Sequence, residues 1–177
     1  MFIQYRQLDQ DQVKFIKRID RSENVEKVYY HRDGQLVLEN ESIIISNEWW
    51  LNEEVIKTIQ PRVESIAENG GYVLGAFDER KIVGICALDH RFFSKKRLNV
   101  DIFFVSRYYR GKGIGKRLME MLKEEAQNRG AKQLYVSATP SENTVNFYLG
   151  IGFKVAKKVE PELFEREPED IHMEMAI

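Results

Sequence analysis

The sequence predicts a mixed α+β (α/β) domain built around one central sheet. Three observations carry this. Hairpin-like pairs of alternating segments fill the first half, a strand–helix–strand–helix–strand succession fills the second, and no Pro/Gly/Ser-rich linker divides them. The 177 residues suit one compact domain, 1–177, because domains commonly run to roughly 100–200 residues.

Taken in order, Phe2–Arg6 alternates apolar and polar residues and reads as a first strand. Leu8–Ile19 places Val13, Phe15, Ile16 and Ile19 at mostly helical spacing, which predicts a short amphipathic helix. Val28–Arg32 and Gln35–Leu38 flank Asp33-Gly34, a dipeptide that tolerates positive φ in a hairpin turn. Glu53–Ala67 is helical in pattern, with Val55, Ile56, Ile59, Val63 and Ile66 on one face. Pro61 is expected to kink it or to begin a second helix, and Asn69-Gly70-Gly71 to end it. Two strands follow, Tyr72–Phe77 and Ile82–Leu88, joined by the turn Asp78–Lys81, and a looser segment, Asp89–Lys96, leads into the strand Leu98–Val105. Strict alternation there sends Leu98, Val100, Ile102 and Phe104 one way and Asn99, Asp101, Phe103 and Val105 the other. The second face mixes polar and apolar groups, as befits a strand bordering a polar cleft. Gly115–Arg129 is a strong helix with Leu118, Met119, Leu122 and Ala126 as its buried stripe and Gly130 as its cap. Gln133–Ala138 reads as a strand, Glu142–Leu149 as a helix, Phe153–Ala156 as a strand, Pro161–Asp170 as an acidic loop and Ile171–Met175 as the closing strand.

Composition excludes several classes. With 27 Lys+Arg against 28 Asp+Glu the net charge is −1, which argues against a strongly basic nucleic-acid binder. No apolar run approaches the ~20 residues that cross a bilayer, and the N-terminus lacks a basic stretch followed by an apolar signal core. Cys86 is the one cysteine, so no intramolecular disulfide forms, in keeping with a reducing compartment. The expectation is a cytoplasmic protein with neither nucleic acid nor membrane as partner.

Chemistry enters at Arg110-Gly111-Lys112-Gly113-Ile114-Gly115-Lys116, between the strand ending at Val105 and the helix from Gly115. Glycines let the backbone approach a ligand closely, and a helix N-terminus offers unpaired N–H donors with about half a positive charge. Together with Lys112 and Lys116 they make an anion site suited to phosphate. A dinucleotide fingerprint fails on identity, since it needs glycine at Lys116 or Leu118. A Walker loop fails too, because Arg110 stands where it needs glycine and Arg117 where it needs Ser or Thr.

The pattern R-x-x-G-x-G does fit, as Arg110, Gly113 and Gly115. With the preceding strand and the later Asn143-Thr144-Val145-Asn146-Phe147-Tyr148-Leu149-Gly150-Ile151-Gly152-Phe153, the chain resembles the GNAT superfamily of acyl-CoA-dependent N-acetyltransferases. The resemblance is specific over Leu98–Phe153, about a third of the chain. It implies a central, mostly antiparallel, splayed mixed sheet flanked by helices, and acetyl-CoA as cosubstrate without a metal. It also implies that backbone amides of the loop bind the CoA pyrophosphate, with Gly111, Lys112, Ile114 and Lys116 adding contacts. Phe103, Phe104 and Val105 would pair with pantetheine and polarise the acetyl carbonyl, Asn143 would lie near the cofactor, and Tyr148 would stand beside its sulfur.

Acetyl transfer to an amine needs an uncharged nucleophile, oxyanion stabilisation and a proton for the thiolate. An alkyl amine is less than ~0.1% neutral at pH 7, so a base or a desolvating site helps. A phenol remains protonated at pH 7, which makes Tyr148 the candidate acid, although it also reads as packing for the last helix. Asp101 is the candidate base on the cleft face, or simply a paired carboxylate. Glu23 would bind a cationic amine or form surface charge, and His90 could serve as base or cap a strand. Elsewhere Cys86 reads as buried, and His31, His90 and His172 lack metal-ligand spacing. Trp49-Trp50 and Phe92-Phe93 read as core or as acceptor-pocket lining. Lys95-Lys96-Arg97 reads as a solvated turn, or as a contact for the adenosine 3′-phosphate or an acidic partner. The acceptor would be a primary amine on a small molecule, peptide or protein, and a homodimer is compatible with the reading. The rival function is a catalytically silent acyl-CoA-binding regulatory module; a nucleotide-binding switch is disfavoured by the missing Walker residues.

Overall fold

The computed structural model describes residues 2–93 and 96–177, apart from the side chains at 49, 50 and 53–55. The strands are β1 (Ile3–Gln7), β2 (Glu23–Arg32), β3 (Gln35–Ile45), β4 (Tyr72–Asp78), β5 (Lys81–Phe93), β6 (Arg97–Val105), β7 (Gln133–Ala138), β8 (Lys154–Val155) and β9 (Ile171–Ala176). The α-helices are α1 (Asn47–Trp50), α2 (Glu53–Glu68), α3 (Ile114–Asn128), α4 (Glu142–Gly150) and α5 (Pro161–Arg166). Seven strands form one sheet in the order β1-β4-β5-β6-β7-β9-β8, and β2-β3 is a separate hairpin. Every pairing in the large sheet is antiparallel except β6 with β7.

Helices cover both faces. On one, Leu118, Met119, Leu122 and Ala126 of α3 and Val145 and Tyr148 of α4 pack on Leu74, Val83, Leu98 and Val100. On the other, Val13, Ile16 and Ile19 join Val63 and Ile66 of α2 over Val73, Ile85, Ala87 and Ile102. The segment expected as a short amphipathic helix is a 3₁₀-helix, Gln10–Arg18. Its buried apolar residues recur every third position, which aligns them at three residues per turn.

Several expectations are corrected. α2 runs through Pro61 as one element, so of the two outcomes expected there no second helix begins, and the side chain of Val55 lies outside the described residues. The β2-β3 hairpin turns at Asp33 (φ 49°) and Gly34 (φ 80°) as expected, but its strands are much longer than the alternating cores. β5 continues to Phe93 instead of loosening after Leu88. It accommodates Asp89, His90 and Arg91 opposite Asn99 as a bulge. Phe153–Ala156 shortens to the two residues of β8. Within Pro161–Asp170 a helical turn and a half forms, with Pro161 at its start and Leu163 fully buried. Six residues are too few to show a helical period.

The correction that shapes the cleft lies in β6. Ala87 pairs with Ile102 and Leu88 with Val100, so Asp101 is an extra, unpaired residue. A bulge shifts the alternation by one residue. Leu98 and Val100 therefore share a face with Phe103 and Val105, while Ile102 and Phe104 face α2. Strict alternation had split these sets.

Arg97 corrects another reading. It is not in a solvated turn: its side chain is 1% exposed and lies between β6 and the chain leading to α5. Nε donates to Gln133 Oε1 at 2.9 Å, and Nη1 donates to the Lys158 carbonyl and to Glu160, both at 2.9 Å. Nη2 pairs with Glu174. Lys95 lies outside the described residues.

Candidate active site

β6 and β7 pair in parallel through three positions only: Arg97 with Gln133, Leu98 with Leu134 and Asn99 with Tyr135. Beyond Asn99 the strands diverge, and a cavity of about 970 Å³ occupies the gap. Val100–Val105 and Val136–Thr139 form its sides, and it reaches Gly115 and Tyr148 on one face of the sheet and Ile59 and Arg62 on the other.

At one end of the gap sits the glycine loop. Gly111 (φ 72°) and Gly113 (φ 81°) adopt the left-handed region, and neither would meet an atom within 4 Å if it carried a Cβ. Conformation, not crowding, requires glycine there, and the empty space is where a ligand approaches. Gly113 caps α3, and its carbonyl accepts the Arg117 amide at 3.0 Å, the first bond of the helix. The amides of Ile114, Gly115 and Lys116 thus lack helical partners. A Cβ at Gly115 would come within 3.2 Å of the Phe147 ring, so that glycine lets α3 and α4 close up. Gly111, Gly113, Gly115 and Lys116 all line the cavity. Lys112 projects over the Tyr109 ring at 5.0 Å, outside the lining. These donors and the edge of β6 beyond Asn99, which pairs with no strand on that side among the described residues, fit a diphosphate joined to an extended amide-bearing arm.

Arg110 belongs to the scaffold of this loop. Its Nε donates to the Val105 carbonyl at 3.0 Å and its Nη1 to Glu23 Oε2 at 3.0 Å. The Asn143 amide donates to the other oxygen of Glu23 at 2.9 Å. The hairpin is fixed to α4 by the Tyr29 amide on the Pro140 carbonyl (2.8 Å) and the Tyr29 hydroxyl on Asn146 Oδ1 (2.9 Å). Ser141 caps α4 through Oγ, which accepts the Thr144 amide.

Tyr148 is buried against Phe103, Phe147 and Phe153, with ring centroids at 6.2, 5.2 and 5.2 Å, and it lines the cavity. Burial pushes its phenol well above the ordinary tyrosine range, so it stays protonated. It thus packs in the core and borders the cavity at once. Cys86 is wholly buried, and burial likewise pushes its thiol up and keeps it neutral.

Asp101 faces two guanidiniums: Oδ1 accepts from Arg62 Nε at 2.6 Å and Oδ2 lies 3.2 Å from Arg166 Nη2. Both oxygens of the 2%-exposed side chain are engaged. His90 lies beside Asp89 at 3.1 Å, away from the cavity, as are Phe92 and Phe93. The side chains of Trp49 and Trp50 lie outside the description. Arg21, Arg62, Glu167 and Asp170 line the cavity without having been singled out in sequence. Each is one charge among many in a chain that is 31% charged, and only the fold converges them. Among the described residues no group of three His, Cys, Asp or Glu side chains could hold a metal ion, and no helix is long and apolar enough to cross a membrane.

The profile of one protein family, described as "Acetyltransferase (GNAT) domain", matches residues 38–177. Solved structures share the fold over nearly the whole chain. A nourseothricin acetyltransferase superposes with a TM-score of 0.73 at 17% identity, covering 99% of each chain. A Bacillus anthracis protein described as a "putative streptothricin acetyltransferase", in complex with acetyl coenzyme A, gives 0.75 at 18% identity, covering 100% of this chain and 99% of the other. A PaiA N-acetyltransferase from Thermoplasma acidophilum, in complex with coenzyme A, gives 0.67 at 18% identity, covering 100% of both.

Proposed function

Because this chain belongs to the GNAT acetyltransferase family, with acetyl-CoA as the cosubstrate, we propose that it moves the acetyl group directly to a primary amine of a small molecule, peptide or protein. The observation that carries this reading is the divergence of β6 from β7 after Asn99, which ends at the glycine loop and contains Tyr148. The amides at 111–116 receive the diphosphate, aided by Lys112 and Lys116. The backbone of Phe103–Val105 receives the arm and polarises the acetyl carbonyl, and preorganised donors there stabilise the oxyanion without reorganising. Arg110 and Asn143, joined through Glu23, hold the loop and α4 in register around the cosubstrate.

Tyr148 donates its phenolic proton toward the departing sulfur. Direct transfer is supported by the state of Cys86, whose buried neutral thiol is a poor acyl carrier. Asp101, tied to Arg62 and Arg166, organises the acceptor side of the gap.

The acceptor is best sought with a panel holding nourseothricin, an aminoglycoside, simple alkyl amines and lysine peptides, the first two taken from the names of similar structures. Thiol release from acetyl-CoA dependent on one of these amines is the expected result. Stabilisation by acetyl-CoA with no thiol release across the panel would favour a silent acyl-CoA-binding module, and stabilisation by ATP or NAD instead would overturn both.

A further inference from the structure

Four carboxylates line the gap, and three are tied down. Glu23 accepts from Arg110 and Asn143. Asp101 lies between Arg62 and Arg166. Glu167 faces Arg62 at 3.7 Å and Arg166 at 3.4 Å. Among the described residues no hydrogen bond or ion pair reaches the carboxyl of the fourth, Asp170.

Asp170 immediately precedes β9. Because Ile171 pairs with Ala138, it stands at the end of β7 where the sheet has already opened. Its charge is felt by the Tyr148 phenol and by Arg21, whose guanidinium lies 3.8 Å over the Phe104 ring. The carboxyl therefore shares a compartment with the β6 backbone and with the candidate acid.

We propose that Asp170 is the general base of the transfer, accepting the proton of the amine nitrogen as the C–N bond forms. The assignment rests on the acetyltransferase reading above. The amine lone pair attacks the thioester carbonyl carbon, and the adduct nitrogen gives its proton to Asp170. The C–S bond then breaks, the electron pair leaves with sulfur, and Tyr148 supplies the proton that makes the thiol. The proton held on Asp170 returns to the Tyr148 oxygen, so amine and thioester become amide and thiol with no net change in the protein.

The surroundings suit that role. Burial, aided by neighbouring Glu167, raises the Asp170 carboxyl to about 7, against the lowering pull of Arg166 and Arg21. A carboxyl poised there is half ionised near neutrality and more basic than an exposed aspartate. The other charged and titratable groups near it are Tyr148 from α4, Tyr29, Tyr30 and His31 from β2, Glu169 beside it and His172 from β9. Asp170 also borders a second cavity of about 230 Å³ between β2 and α5.

The test is Asp170→Asn in the full chain, assayed against the amine that the panel identifies. The expected result is a kcat about 100-fold or more below wild type at pH 7. The acidic limb of the kcat/KM profile near pH 7 should vanish, and acetyl-CoA affinity by calorimetry should be unchanged. Asp170→Glu should recover part of the rate and shift the limb. A wild-type rate and limb in Asp170→Asn would overturn the assignment alone, as would equal losses in both variants with the limb retained. A wild type that acetylates no amine would overturn the transferase reading, and this assignment with it.

Discussion

The Asn143 amide and the Glu23 carboxylate meet across the mouth of the gap, Nδ2 donating to Oε1 at 2.9 Å although the residues are 120 positions apart. The second oxygen of Glu23 takes Arg110, so one side chain fastens β2, the glycine loop and α4 together. Removing it should loosen the cosubstrate site without touching the core. Glu23→Ala is expected to weaken acetyl-CoA binding about tenfold, or ~1.4 kcal/mol. Calorimetry returning the wild-type affinity would remove this positioning role.

Gly113→Val tests the loop. A β-branched residue is strained at φ 81° although nothing blocks its Cβ. The loop should move off its ligand-ready conformation and acetyl-CoA binding should be lost, while thermal unfolding changes by only the few degrees that about 1–3 kcal/mol of local strain implies. Retained affinity would refute the assignment of the diphosphate to these amides.

Tyr148→Phe preserves the aromatic packing with Phe103, Phe147 and Phe153 and deletes only the hydroxyl. Turnover is expected to fall about 100-fold, the lower range for a lost proton donor, with little change in acetyl-CoA affinity. Steady-state rates at saturating cosubstrate decide this, and an unaltered kcat would reduce Tyr148 to packing.

Arg97→Leu leaves Glu160 and Glu174 without their shared cation in a buried setting. Breaking one side of such a pair costs about 3–5 kcal/mol, which for a chain of this size lowers Tm by roughly 10 °C. Arg97 does not line the gap, so acetyl-CoA affinity of the folded variant should persist. A scan showing no loss of Tm would mean that the neighbouring chain rearranges to neutralise the carboxylates.

Asp170 also makes a stability prediction with a fixed sign. Its folded value, about 7, lies above the ordinary 3.8, so between those limits the native state binds more protons than the unfolded chain. Stability therefore falls as pH rises from about 4 to 7, and the full penalty remains above pH 7. Asp170→Asn removes it and should stabilise the protein at pH 8 by between about 1 and 4 kcal/mol, with no gain near pH 4. Equal denaturation midpoints for variant and wild type at pH 8 would contradict this.

What sequence made legible was local. Gly111 and Gly113 needed only their spacing and the helix behind them, and Asp33-Gly34 announced its own turn. The exposed-to-buried stripe of α3 was plain because it runs through four turns. What stayed hidden depends on partners distant in the chain. A bulge at Asp101 changes no residue type, yet it turns Phe103 and Phe104 to opposite faces from those that alternation assigns. Arg97 reads as a surface cation until Glu160 and Glu174 arrive from more than sixty positions away. Asp170 carries no motif, and its setting is created by the ends of β7 and α5.

The opening between β6 and β7 runs through the sheet, with the glycine loop at one face and α2 with Arg62 at the other. On the proposed function, two reactants arrive by separate doors and meet in the thickness of a single layer. Substitutions in α2 can reshape one doorway without touching the glycine loop at the other. On the reading proposed above, such a frame separates the choice of acceptor from the hold on the donor.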